Sequence, residues 1–167
     1  MKPNQSLHEL TARLVSRITD DILLKEPFDF VFVQGDTTTV LATSLAAFYQ
    51  KIKVIHIEAG LRSDDMYSPF PEEMNRVLTS KLTFAHFCPT KNAQQNLIKE
   101  GIKDNVFVVG NTVIDALLMG LNKINSTNEQ IMFEKFKNID FSKKLFWLLV
   151  TVEKISENHL KKYVKLY

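Results

Sequence analysis

The hydrophobic positions change period repeatedly along the chain. Over residues 6–25 the apolar residues Leu7, Leu10, Leu14, Ile18 and Ile22 recur at every third or fourth position, the mark of an amphipathic helix. Ser6 followed three residues later by Glu9 has the form of a capping box, and Pro27 ends the helix. Phe28-Asp29-Phe30-Val31-Phe32-Val33 is a short aromatic and β-branched run, as in a buried strand. Residues 34–39 form a polar turn, and the Ala/Leu-rich residues 40–50 predict a second helix. The alternation continues with a strand over 53–57 and a long polar loop over 58–70. Pro71-Glu72-Glu73 opens a helix with Pro at its first position and acids in the first turn, where the macrodipole favours them. A strand over 84–87 follows, then a helix capped by Thr90 and ended near Gly101, a strand over 106–109 and a helix over 112–124. Strands alternating with helices predict an α/β fold: right-handed βαβ units and a parallel sheet covered on both faces.

After this the pattern changes. Residues 1–121 form the alternating unit, 122–144 read as a polar connection, and 145–152 are the most apolar strand candidate in the chain. A fresh buried strand after a long polar connection predicts the opening of a second domain, for which little chain remains. The 167 residues, 45% of them hydrophobic, otherwise suffice for one globular unit with a core. A net charge of +2 with no long single-sign block gives no electrostatic ground for nucleic acid or a membrane surface as partner. The one cysteine, Cys88, excludes an internal disulfide framework. No apolar run approaches the roughly 20 residues of a membrane helix. Met1-Lys2-Pro3-Asn4-Gln5 lacks the apolar stretch of a signal peptide, and the expectation is a cytoplasmic protein.

In open parallel sheets ligands bind at the carboxyl ends of the strands. Polar residues of unusual type gather there: Asp36 after the first strand, His56 and Glu58 at the end of the second, Pro89-Thr90 after the third, Gly110-Asn111-Thr112 after the fourth. Glu72, Glu73 and Arg76 lie near a helix N-terminus on the same edge, and Glu72 and Arg76 share one helical face. Each residue also has a plain structural use. Asp36 and Thr37, or Asn111-Thr112, can cap helices; Glu72 and Arg76 can form a surface pair; His56 can be a core histidine and Cys88 a buried small apolar residue. Their common placement on one edge favours a site. No Gly-x-Gly-x-x-Gly follows a strand, no Gly-Lys-Ser/Thr loop occurs, and no HExxH or spaced ligand set points to a metal. Proton transfer by carboxylates, without metal or cofactor, fits what remains.

Four of these segments, Gly35-Asp36-Thr37-Thr38-Thr39, His56-Ile57-Glu58-Ala59-Gly60-Leu61-Arg62, Pro71-Glu72-Glu73-Met74-Asn75-Arg76 and Gly110-Asn111-Thr112-Val113-Ile114-Asp115-Ala116-Leu117, resemble in order and spacing the non-hydrolysing UDP-N-acetylglucosamine 2-epimerases. The resemblance covers residues 1–152. It implies a Rossmann-like sheet within a glycosyltransferase-B-type two-domain fold, with the active site in the cleft between domains. It implies interconversion of UDP-GlcNAc and UDP-ManNAc without a cofactor, by anti elimination of UDP to a 2-acetamidoglucal and re-addition with C2 inverted, in the service of a ManNAc-containing surface polysaccharide. Such chemistry calls for acid/base groups on both faces of the sugar and stabilisation of the departing pyrophosphate. Carried over motif by motif, Asp36, Glu58 and Glu72 are the active-site carboxylates and Arg76 positions substrate or stabilises negative charge. Arg62, Asn111 and Thr112 are the substrate-binding candidates. The family is often dimeric, so a homodimer or a complementing fragment is the expected protein partner.

The chain departs from the family pattern in two places. Family members begin upstream with a strand and a Gly-Thr-Arg-Pro-Glu loop, so the strand at 28–33 is expected to be an open edge here. After Val152 the family reads His-Arg-Arg-Glu-Asn-Phe-Gly-Glu, whereas this chain continues Glu153-Lys154-Ile155-Ser156. Synonymous codons exist for residues 152–165 that, read out of phase, spell Arg-Glu-Asn-Phe-Gly-Glu-Pro-Phe-Glu-Lys-Ile-Cys-Glu. Residues 153–167 are therefore expected to be a frameshifted tail, and His159 is not the family histidine. The expectation is a fragment truncated at both ends, with little or no activity alone: an inactive remnant or one piece of a split enzyme.

Overall fold

The structure, a computed structural model, describes residues 5–125, 134, 136–140 and 142. The strand expected at 145–152 and the tail at 153–167 lie outside the described residues, as does much of the connection at 122–144. The chain divides into two units, 1–114 and 115–167.

In the first unit α1 (Leu7–Ile18) opens with the expected capping box: Ser6 Oγ accepts from Glu9 N–H at 3.4 Å and Ser6 N–H donates to Glu9 Oε2 at 3.1 Å. A π-helical turn, Thr19–Leu23, ends it. Then β1 (Phe30–Gln34), α2 (Thr38–Tyr49), β2 (Lys53–Ile57), α3 (Glu72–Leu82), β3 (Ala85–Cys88), α4 (Lys91–Lys99), β4 (Val106–Val108) and α5 (Thr112–Asn125) follow. The four strands form one parallel sheet in the order β1-β2-β3-β4. The α/β fold and its parallel sheet are thus as expected. Pro71 differs from expectation by one position, standing as N-cap of α3 and not as its first helical residue.

Pairing places Val33, His56, His86 and Val106 in one row across the sheet, and Gln34, Ile57, Phe87 and Phe107 in the neighbouring row on the other face. Val33, Val54, Val40, Ala46 and Ala47 form one buried cluster, joined by Val15 and Ile18 of α1. Cys88, Ala93, Leu97 and Ala59 form a second beneath α4. Among the described residues the opposite face lacks the cover the alternation predicts: Phe30, Phe32 and Phe107 are 45%, 60% and 50% exposed. β1 stands at the edge of the sheet, as expected, so its composition reads as buried while two of its phenylalanines are open.

In the second unit, the described residues are the rest of α5, residue 134, a turn over 136–139, and residues 140 and 142.

Candidate active site

The carboxyl ends of β1 and β2 lie side by side, because Gln34 pairs with Ile57 and Gly35 N–H continues the ladder by donating to Ile57 O at 3.1 Å. Asp36 therefore leaves β1 beside Glu58, which leaves β2. Thr37 takes the capping role: its hydroxyl accepts from Val40 N–H at 3.4 Å. The Asp36 side chain is left for another partner, and Oδ2 accepts from Arg76 Nη1 at 3.1 Å. Glu58 has φ of +65°, a left-handed conformation that a non-glycine residue adopts at a cost of about 1–3 kcal/mol and that recurs at functional sites. Its Oε1 accepts from Gln34 Nε2 at 3.3 Å, and its Oε2 lies 3.7 Å from where a Cβ on Gly35 would stand. Asp36, Glu58 and Arg76 are thereby brought together from β1, β2 and α3.

Arg76 does not pair with Glu72, as its spacing allows. Among the described residues its guanidinium bridges Asp36 and the buried Glu73, one turn back at i−3. Glu73 Oε1 and Oε2 each accept from Ser63 N–H at 3.1 Å, and Oε1 also from Asp64 N–H at 3.3 Å. Burial by itself raises the Glu73 carboxyl; the Ser63 backbone N–H and Arg76 outweigh it and hold the group below the usual carboxylate range. Glu73 thus orients Arg76 and ties the 58–70 loop to α3. Sequence reasoning left it without a role, although its i,i+3 spacing to Arg76 was visible. Glu72 stands at the first position of α3, half-buried, at the positive end of the helix dipole.

Arg62, expected at the substrate, is placed apart from the other candidates. Its side chain is 3% exposed and is not brought to this group. Nε and Nη2 donate to Glu100 Oε1 and Oε2 at 2.6 and 2.9 Å, Nη2 also to Ser80 Oγ at 3.0 Å, and Nη1 to Leu61 O at 2.7 Å. Such a bidentate guanidinium, donating four hydrogen bonds, locks the loop to α3 and to the end of α4. Asn111 and Thr112 follow β4, three strand spacings or about 14 Å across the sheet from β1. They share the carboxyl edge but lie apart from the carboxylates. Asn111 Oδ1 accepts from Val113 N–H at 2.9 Å, the local use foreseen for it.

Burial lowers the pKa of His56 and pushes His86 down to about 4, so neither ring is charged at neutral pH. Burial also pushes the Cys88 thiol up to about 11, consistent with an inert packed cysteine. Among the described residues no group of three or more His, Cys, Asp or Glu side chains is arranged to hold a metal ion, and no helix is long and apolar enough to cross a membrane.

An open parallel sheet with carboxylates and a guanidinium gathered at its carboxyl edge defines the class: a Rossmann-type α/β unit. The sequence model described as UDP-N-acetylglucosamine 2-epimerase matches residues 1–152, and the chain belongs to that family. It is 51% identical over 161 residues to the UDP-N-acetylglucosamine 2-epimerase of Neisseria meningitidis serogroup A, covering 95% of this chain and 42% of that one. Against the Escherichia coli K12 enzyme of the same name identity is 47% over 154 residues, 90% of this chain and 40% of the relative. The crystal structure of the N. meningitidis enzyme bound to UDP-GlcNAc superposes with a TM-score of 0.81 at 53% identity, over 86% of this chain and 39% of that one. The Methanocaldococcus jannaschii enzyme in complex with UDP-GlcNAc and UDP gives 0.71 at 47% identity, over 81% and 36%. This chain spans about two fifths of the length of these relatives.

Proposed function

We propose that this chain carries part of the active site of an enzyme interconverting UDP-GlcNAc and UDP-ManNAc, and that it acts in the cytoplasm within an assembly supplying the rest of the family's length. The observation that carries the reading is the Asp36–Arg76–Glu73 bridge set beside Glu58, in a chain half identical to UDP-N-acetylglucosamine 2-epimerases. In the reaction a carboxylate removes the C2 proton, the C1–O bond to UDP breaks with its electrons leaving on the phosphate, and C1=C2 forms. Return of a proton to the other face of C2 and of the UDP oxygen to C1 completes the inversion. Asp36, Glu58 and Glu72 are the acid/base candidates. Arg76, held by two carboxylates, faces accumulating negative charge with its orientation already set. Asn111 and Thr112 are assigned to substrate at the far end of the same edge, and Arg62 to holding the loop.

The chain spans about 40% of the relatives' length, so the activity proposed is that of the whole enzyme to which these residues contribute. The test is NMR detection of UDP-ManNAc formed from UDP-GlcNAc. The chain alone is expected to give none, and the chain mixed with a polypeptide supplying the segments that its relatives have and it lacks is expected to give product. Absence of product in the mixture, with both polypeptides folded and associated, contradicts the reading.

A further inference from the structure

Two successive carbonyls in the turn after β1, those of Gly35 and Asp36, are each taken by a buried side chain from a different element. His56, on β2 and fully buried, places Nε2 2.7 Å from Gly35 O. Asn75, on α3 and 5% exposed, donates through Nδ2 to Asp36 O at 2.9 Å. A carbonyl only accepts, so His56 Nε2 carries the hydrogen. Burying an imidazole and an amide costs free energy that a hydrogen bond must offset. Here the two bonds converge on one dipeptide, 21 and 39 residues away in sequence. The same dipeptide bears the carboxylate that meets Arg76, the residue next to Asn75 on α3.

We propose that Asn75 and His56 are positioning residues: together they clamp the Gly35–Asp36 backbone and so aim the Asp36 carboxylate at Arg76 and the reacting sugar. This rests on the reading of Asp36 as an active-site carboxylate. Neither residue needs to touch substrate. Asn75 couples Asp36 and Arg76 as one body, since α3 grips the Asp36 backbone and side chain from adjacent positions. His56 fixes the preceding peptide, so the turn cannot rotate about the Gly35–Asp36 link.

The first arm of the test uses this chain alone and needs no turnover. Long-range proton–nitrogen NMR of the histidine rings is expected to show His56 as the Nε2–H tautomer with an exchange-protected ring proton. The Nδ1–H tautomer overturns the clamp. In Asn75→Ala, the Arg76–Asp36 hydrogen-bond correlation is expected to vanish while Arg76–Glu73 persists; its survival in the folded variant overturns the role of Asn75. The second arm uses the assembled enzyme. Asn75→Ala and His56→Leu are expected to lower kcat about 100-fold with KM changed less than about threefold, the signature of misplacement rather than lost binding. His56→Gln, whose Nε2 reaches a similar position, is expected to recover most of the rate. Rates within about twofold of the parent in folded Asn75→Ala and His56→Leu proteins overturn the proposal. Should the unaltered assembly form no product, the functional reading fails and the NMR arm still decides the clamp.

Discussion

The Arg62–Glu100 pair offers the sharpest test of how the loop before α3 is held. The guanidinium is 3% exposed while the Glu100 side chain is 28% exposed, so the two halves of the pair are not equivalent. Glu100→Gln leaves a buried arginine without its counter-charge, a situation that costs about 3–5 kcal/mol. Arg62→Met removes that charge along with its bonds to Ser80 and Leu61, and leaves a carboxylate that water can reach. Its expected cost is smaller, about 1–3 kcal/mol. The double variant should match Arg62→Met alone, so the coupling in a double-mutant cycle should equal the whole Glu100→Gln effect, about 3–5 kcal/mol. Against a domain stability of about 5–15 kcal/mol these are large fractions. Urea unfolding followed by circular dichroism at pH 7 measures all three. Single-variant effects that simply add, or a Glu100→Gln effect below about 0.5 kcal/mol, would refute the reasoning. An Arg62→Met protein of parental stability with weakened UDP-GlcNAc binding would return Arg62 to the substrate.

His86 has a folded-state pKa of about 4 against an ordinary value of 6.5, so between those limits the unfolded chain takes up a proton that the folded one refuses. Stability is therefore intact above about pH 6.5 and falls toward pH 4 by up to ~1.4 kcal/mol per unit; His86→Gln should flatten that slope, and an unchanged slope contradicts the assignment. A methyl on Gly60, at φ +85°, would stand 2.2 Å from the Ala93 carbonyl oxygen. Gly60→Ala is expected to cost about 2–5 kcal/mol in chemical melts, from left-handed strain plus a backbone collision. Gly101→Ala, at φ +84° with open space around the new methyl, should cost only the strain, about 1–2 kcal/mol. Equal losses at the two glycines would contradict the close approach of β2's loop to α4.

Local chemistry was legible where neighbours in sequence are neighbours in space. The strand over 53–57, the Ser6–Glu9 capping box and the Thr90 cap all stand where periodicity and capping rules put them. The common edge shared by Asp36, Glu58 and Arg76 follows from their place at strand and helix ends, and four linked motifs point to the family. What could not be read were contacts set by the return of the 58–70 loop. Helical spacing allows Arg76 to meet Glu72 or Glu73. Only the loop, presenting Ser63 and Asp64 N–H groups to Glu73, decides between them. Arg62 closes the motif that carries His56 and Glu58, and its side chain goes to a buried ion pair. Its partner, Glu100, is 38 residues away, and nothing in the local pattern announces it. The composition of β1 signals apolar surroundings but carries no information about how many strands flank it, so two exposed phenylalanines escape a periodicity argument.

Asp36, Glu58 and Glu72, as proposed acid/base groups, are tested together at the C2 proton. The most direct measurement is deuterium incorporation at C2 of UDP-GlcNAc in D2O by the assembled enzyme, with Asp36→Asn, Glu58→Gln and Glu72→Gln compared with the parent. Exchange is expected to collapse, by about 100-fold or more, in at least one amide variant that remains folded. Exchange at the parental rate in all three would contradict the proposal.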